Sequence, residues 1–283
     1  MSNRPIRAII LDLDGVVYLE NVLLPGVADA IRTLRARGVR VLFVTNGATR
    51  SRREFGLHLT RLGIPCGTAE IMNVSHGCVL WVARHLPRGS RVLVFGGKGL
   101  SGELRAAGYR PVWLHTRAAW KRFRTSPPPI RAVVVAMDHE LTYWSLCAAH
   151  LALQRGARLI AGNFDSSYPA LGMLLPGSGS LVKLLEYASG VTPVLIGKPS
   201  PLLFRLILRE QRVSPGDTLV VGDRLDIDVA AGRAIGARTA LVLTGVDRRA
   251  DIRRRGIRPD FVAASLPALL KLPGLSGRRQ RAA

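Results

Sequence analysis

Ala8-Ile9-Ile10-Leu11-Asp12-Leu13-Asp14-Gly15 is an unbroken apolar run that ends abruptly in two aspartates and a glycine. A run with no polar alternation suits a strand buried on both faces, the kind found in parallel sheets covered by helices. In extended backbone, residues two apart share a face, so Asp12 and Asp14 point the same way, and Gly15 lets the chain turn sharply after them. Two carboxylates at a strand end suit a metal site or a nucleophile paired with an acid. A plain Asp-Gly turn would read the same in isolation, so the neighbouring runs carry the decision.

Seven similar runs follow: VRVLFVTN from Val39, RVLVFGG from Arg91, AVVVAMD from Ala132, ARLIAGN from Ala157, PVLIGKP from Pro193, TLVVGD from Thr218 and TALVLTG from Thr239. Segments of helical periodicity lie between them, over 26–37, 51–62, 72–85, 142–155, 178–189, 201–212 and 226–235. Strands alternating with helices predict an α/β fold, a doubly wound, Rossmann-like parallel sheet. The polar ends of the runs then fall at the carboxyl ends of strands, where open α/β sheets bind ligands.

Three of those ends carry further chemistry. Thr45-Asn46-Gly47 places a hydroxyl and an amide where they can donate to a phosphoryl oxygen, or cap a helix before Ser51. Lys198, in Gly197-Lys198-Pro199, supplies a cation right after an apolar run. Asp223, Asp226 and Asp228 add three carboxylates at the start of a helix, hard oxygen ligands of the kind Mg²⁺ takes. DxDG, TN, GKP and GDxxxxD thus occur in this order, each at the end of a different predicted strand.

Composition narrows the class. Hydrophobic residues make up 48% and charged residues 21% of 283, a globular balance. The opening residues lack the apolar length of a signal peptide or a membrane span, so a cytoplasmic protein with no membrane partner is expected. Cys66, Cys78 and Cys147 share no CxxC spacing and predict free thiols rather than disulfides or zinc. The net charge of +22 invites a nucleic-acid reading, but 36 of the 41 basic residues are arginines spread along the chain. A general arginine bias explains that as well as a binding face does, which argues against a dedicated nucleic-acid role. Gly96-Gly97-Lys98-Gly99 lacks the full phosphate-loop spacing and reads as a turn. The tail from Gly277 to Ala283 reads as a frayed end.

The ordered motif set resembles the haloacid dehalogenase-like phosphatase superfamily. DLDGVVYLENVLLPG, FVTNGATRSR, PGSGSLVKLLEYASG and IGKPSP resemble its NagD-like, or p-nitrophenyl phosphatase-like, branch, from about Ile9 to Pro259. The resemblance implies a catalytic core over 1–82 and 191–283 and an inserted α/β cap domain over 83–190. It implies Asp12 as nucleophile, Asp14 as general acid and base, and Lys198 as the stabiliser of charge on Asp12 and phosphate. Mg²⁺ would be bound by Asp12, the main-chain carbonyl of Asp14, and Asp223. Thr45, Asn46 and Gly47 would bind the phosphoryl group, with Asp228 orienting Lys198 or the metal's water, and Asp226 either an outer-shell group or the N-cap of the following helix.

From the cap, Asn163 and Asp165 are the candidate substrate contacts, in GNFDSSYP where relatives commonly carry TNPD followed by proline. The departures there mean that substrate preference does not transfer. The partner expected is a small phosphorylated metabolite: a nucleotide, sugar phosphate, phosphoglycolate or aryl phosphate. A homodimer through the cap is compatible with the resemblance. Two alternatives stay open, a basic nucleic-acid-binding or regulatory protein on the same fold, and a phosphotransferase or phosphomutase using the same aspartate.

Overall fold

A computed structural model describes residues 5–48, 50–170, 173–272 and 275; the tail from Gly277 lies outside them. The strands among these residues are β1 Ala8–Leu11, β2 Tyr18–Leu19, β3 Val22–Leu23, β4 Arg40–Thr45, β5 Ile71–Asn73, β6 Arg91–Phe95, β7 Arg110–Val112 and β8 Ile130–Val135. They continue with β9 Arg158–Ala161, β10 Ser167–Ala170, β11 Met173–Pro176, β12 Val194–Leu195, β13 Thr218–Gly222, β14 Arg238–Val242 and β15 Phe261–Ala263. The chain divides into two compact units, one of Met1–Thr45, Arg52–Met72 and Lys198–Ala283, the other of Asn46–Ser51 and Asn73–Gly197. The insertion expected over 83–190 falls inside the second unit, which also takes in helix Val74–His85 and β12.

The first unit is built on a sheet of order β15-β14-β13-β1-β4-β5. β1 pairs in parallel with β4 on one side and β13 on the other, with Leu11 level with Phe43 and Val221. Ile9, Leu11 and Phe43 pack with Ile31 and Leu34 of helix Val27–Ala36, while Ile10, Leu42 and Val220, pointing to the opposite face, are as deeply buried. Helix Leu202–Glu210 packs on β4 and buries Leu203, Phe204 and Ile207. Both faces are therefore covered, which is why these strands read as continuous apolar runs. From the centre the chain winds outward through β4 to β5, then returns beside β1 at β13 and winds the other way. The carboxyl ends of β1 and β13 meet where the winding reverses, the ligand-binding crevice of such sheets.

The second unit has its own parallel sheet, β12-β9-β8-β6-β7, and an antiparallel hairpin of β10 and β11. Its core joins Phe95, Val133 and Leu159 to Ala148, Leu153 and Val182 from the helices. All eight runs picked out in the sequence form strands, but β12 is only two residues long and extends this second sheet beside β9 rather than the first. Ile196 N–H donates to Ala161 O at 2.9 Å and Gly197 N–H to Gly162 O at 2.7 Å, so the pairing continues up to Lys198.

Three local expectations change. Residues 72–73 are strand, and the helix starts at Val74, with the Asn73 side chain capping it through His76 N–H. Gly96-Gly97 does turn, but a helix begins at Lys98. The helix expected over 226–235 starts as a wide turn, Leu225–Val229, before the short helix Ala230–Ala234. No helix among the described residues is long and apolar enough to cross a membrane.

Candidate active site

β1 delivers Asp12 as the last residue in the ladder, its N–H donating to Val221 O at 3.0 Å. The chain then folds back on itself, with Val17 N–H on Leu13 O and Gly15 N–H on Tyr18 O, both at 2.8 Å. Gly15 sits at φ 78°, and a Cβ there would come within 2.5 Å of Asp223 Oδ2, so only glycine fits on both counts. Asp14 is exposed, and its backbone bridges to that of Tyr18.

β13 delivers Asp223 beside Asp12. The Asp223 carboxylate lies in a cradle: Oδ2 accepts Val246 N–H at 2.8 Å, and a Cβ on Gly245 would fall 2.0 Å from the same oxygen. Thr244 Oγ1 closes the rim by donating to Gly15 O at 2.5 Å. In the wide turn that follows, Asp228 N–H and Val229 N–H both donate to Arg224 O, at 3.0 and 3.2 Å. That extra residue per turn brings the Asp228 carboxylate back over the strand end, where Gly222 leaves room for it: a Cβ at 222 would stand 2.1 Å from Asp228 Cβ. Asp228 Oδ2 accepts Arg224 N–H at 3.2 Å, and Oδ1 reaches Lys198.

Lys198 links these elements. Its ammonium lies 2.7 Å from Asp12 Oδ1 and 2.7 Å from Asp228 Oδ1, and its side chain is 2% exposed. Asp12, Asp223 and Asp228 each place a carboxylate oxygen within 4.8 Å of the others'. Burial pushes the Asp12 carboxyl up to about 6; Lys198 pulls it back, while Asp223 and Asp14 push it further. Burial likewise raises Asp223 to about 6, helped by Asp228 and opposed by Val246 N–H. Asp228 also rises to about 6, through burial, with Lys198 opposing and Asp12 adding. For Lys198 burial alone would favour the neutral amine, but the two carboxylates outweigh it and hold the ammonium charged. Three closely spaced carboxylates, two of them buried, against one ammonium leave an excess of negative charge, which a hard divalent cation fits.

The motif residues are distributed as follows. Asp12, Lys198, Asp223 and Asp228 come together in the first unit, and Thr45 is buried at the end of β4 in the same unit. Asn46 and Gly47 belong to the second unit, where Asn46 Oδ1 lies 2.7 Å from where a Cβ on Gly197 would be. Their loop is tied down by Asn73, whose side chain donates to Arg50 O at 2.8 Å, and by Ser75, which donates to Ala48 O at 3.3 Å. Asn163 and Asp165 are also in the second unit; Asn163 Oδ1 accepts from Ser178 Oγ at 2.5 Å and Asp165 N–H at 3.2 Å, so it shapes its loop. Asp226 is set outward and pairs with Arg255 at 2.8 Å; it does not cap the turn, whose first residue follows Arg224.

The sequence reading missed Gly245, Val246 and Asp247. Gly245 ends the run TALVLTG, and Val246 and Asp247 come directly after it, at a strand end like that of DxDG, which is the signal that was there to use.

Comparison with known proteins agrees with this geometry. A haloacid dehalogenase-like hydrolase family model matches residues 9–110, and a HAD-hydrolase-like model matches residues 195–269. The chain is 34% identical over 285 residues to the glycerol-3-phosphate phosphatase of Gallus gallus, covering 94% of this chain and 91% of that protein. It is similar to the solved p-nitrophenyl phosphatase from Archaeoglobus fulgidus, at TM-score 0.84 and 33% identity over 94% of this chain and 99% of that one. A glycerol phosphate phosphatase from Mycobacterium tuberculosis, solved in complex with magnesium, matches at TM-score 0.82 and 32% identity, over 95% of this chain and 79% of that one. With relatives matched over nearly its whole length, the chain belongs to the haloacid dehalogenase-like hydrolases, in their NagD-like and p-nitrophenyl phosphatase-like branch of phosphomonoester hydrolases.

Proposed function

We propose that this chain hydrolyses small phosphomonoesters with Mg²⁺ through an aspartyl phosphate on Asp12. The observation that carries the reading is the buried Lys198 ammonium, 2.7 Å from both Asp12 and Asp228, with Asp223 in the same carboxylate cluster. A cation held in this way keeps Asp12 anionic and aimed, and still presents positive charge to an incoming phosphoryl group. Asp12 attacks phosphorus as the ester P–O bond breaks, and Asp14 gives its proton to the leaving alkoxide. Water then attacks the same phosphorus while Asp14 takes its proton, and the P–O bond to Asp12 breaks to release inorganic phosphate.

Asp12, Asp223 and the main-chain carbonyl of Asp14 would hold Mg²⁺, whose chemistry there is to offset repulsion between a carboxylate and a phosphate dianion. Asp228 orients Lys198, and Thr45, Asn46 and Gly47 bind the phosphoryl oxygens. The second unit takes the role of cap domain, with Asp165 as a substrate contact on the loop that Asn163 shapes. Relatives named as glycerol-3-phosphate, p-nitrophenyl and acid sugar phosphatases support small monoesters as the substrate class, and the magnesium-bound relative supports the metal.

The test is inorganic phosphate release from a panel of phosphomonoesters, with Mg²⁺ or with EDTA, for the wild type and Asp12→Asn. Metal-dependent turnover lost in the variant is expected. Turnover that survives Asp12→Asn rules out the covalent route, and a wild type inactive across the panel returns the basic-binding-protein alternative.

A further inference from the structure

We infer that Asp247, held by Arg255, is a positioning residue for the metal-binding carboxylate Asp223, an inference that rests on the function proposed above. Asp247 is buried, yet it belongs to none of the motifs. It grips the chain around Asp223 at two points. Its N–H donates to Asp223 O at 3.0 Å, and its carboxylate Oδ2 accepts Leu225 N–H at 2.7 Å. The two bonds span Arg224 and fix the peptide units on both sides of it. Backbone rotation at 223–225 would swing the Asp223 carboxylate away from Asp12, and this clamp resists that rotation.

The clamp also supplies the partner for a backbone N–H at the first position of the wide turn, where no helical acceptor exists. Adjacent residues complete the enclosure, with Val246 N–H on the Asp223 carboxylate itself and Gly245 packed against it.

A further buried carboxylate this close to an acidic cluster needs compensation, and Arg255 provides it. One guanidinium nitrogen lies 3.3 Å from Asp247 Oδ1 and the other 2.8 Å from Asp226 Oδ2. Asp226 thereby steadies Arg255, and Arg255 steadies Asp247. Arg255 thus serves the site from behind rather than meeting an external polyanion. Groups that orient a metal ligand typically change metal affinity by about 10–100-fold when removed.

The experiment is calorimetric titration of MgCl₂ into the full chain, as wild type, Asp247→Asn and Asp247→Ala, with circular dichroism to confirm folding. Asp247→Asn keeps an oxygen for Leu225 N–H, so it should bind Mg²⁺ within about threefold of wild type, while Asp247→Ala should weaken binding by about tenfold or more. A purely structural role would instead lower thermal stability in EDTA with no loss of Mg²⁺ affinity. A folded Asp247→Ala with wild-type affinity overturns the inference, and so does Asp247→Asn as weak as Asp247→Ala, since charge rather than the clamp would then be responsible. Should Asp247→Ala not fold, amide exchange in the wild type decides: Leu225 N–H must be strongly protected, and fast exchange there overturns the clamp. A wild type that binds Mg²⁺ but hydrolyses no monoester sinks the proposed function and leaves the clamp standing.

Discussion

Replacing Lys198 by methionine removes one charge from the centre of the cluster and leaves a side chain of similar length. Two carboxylates lose an ammonium at 2.7 Å, and Asp228, whose side chain is 1% exposed, is shielded from the solvent that could replace it. Removing one partner of a buried ion pair costs about 3–5 kcal/mol, and that is the expected loss of stability at pH 8. The loss depends on pH. In the wild type, Lys198 holds Asp12 and Asp228 down to about 6, against burial. Without it the pair rises further and shares one proton between its two carboxylates, so from pH 6 to pH 8 the folded variant keeps a single proton that the folded wild type has lost. An acid whose folded pKa is raised contributes stability at low pH that is lost as pH rises, by about 1.4 kcal/mol per pH unit per group.

The difference between the proteins should therefore shrink by about 3 kcal/mol between pH 8 and pH 6 and level off below. Urea unfolding in EDTA, followed by amide exchange in β1 and β13, measures it. All four tryptophans, 81, 113, 120 and 144, lie in the second unit, so tryptophan fluorescence reports on that unit instead. A difference that stays flat from pH 6 to pH 8, or one below about 1 kcal/mol at pH 8, refutes the argument that the ammonium compensates these carboxylates.

Other perturbations separate the remaining roles. Gly245→Ala puts a methyl group 2.0 Å from Asp223 Oδ2, so it should displace that carboxylate and abolish the rise in melting temperature on adding MgCl₂, with a loss of about 1–3 kcal/mol in EDTA. Asp226→Asn touches an ion pair about one third exposed and should cost under about 1 kcal/mol, with kcat unchanged in steady-state assays. In the metal-free wild type, Asp12, Asp223 and Asp228 titrate near 6, above the usual carboxylate range, so their contribution to stability is lost as pH rises from about 4 through 6. The gain in melting temperature with Mg²⁺ should accordingly be large at pH 7.5 and small at pH 5, where protons occupy the carboxylates; equal gains at both values count against metal binding there.

The parallel strands were legible because burial on both faces leaves nothing polar inside a run, as in Ile9-Ile10-Leu11 and Val133-Val134-Val135. Helix Arg117–Thr125 escaped notice for the opposite reason: only Phe123 is buried and most other positions are basic or small, so the Thr116 cap on Ala119 N–H is its clearest sign. The acids of the cluster stood out through their order along the chain. What stayed hidden were groups that act through backbone. Val246 serves the site with its N–H, Gly222 and Gly245 with the absence of a side chain, and Asp247 by gripping the main chain around Arg224. None of these roles leaves a mark on residue chemistry. The wide turn at Leu225–Val229 is similar, since one extra residue per turn follows from where the Asp228 side chain is tethered, not from helix propensity.

The placement of β1 has a consequence for how the protein is made. Ala8 pairs with Arg40 on one side but with Thr218 on the other, so the centre of the first sheet waits for a partner from the last quarter of the chain. Closing that longer loop costs roughly 2 kcal/mol more than closing the shorter one if the intervening chain is loose. The strands β6 to β12 all emerge before β13 and have a core of their own, so during synthesis the second unit can fold first and shorten the connection that β1 must span. Until then β1 presents an unpaired apolar edge, and slow or interrupted synthesis between residues 45 and 218 should expose it to aggregation before Asp223 and Asp228 have been made.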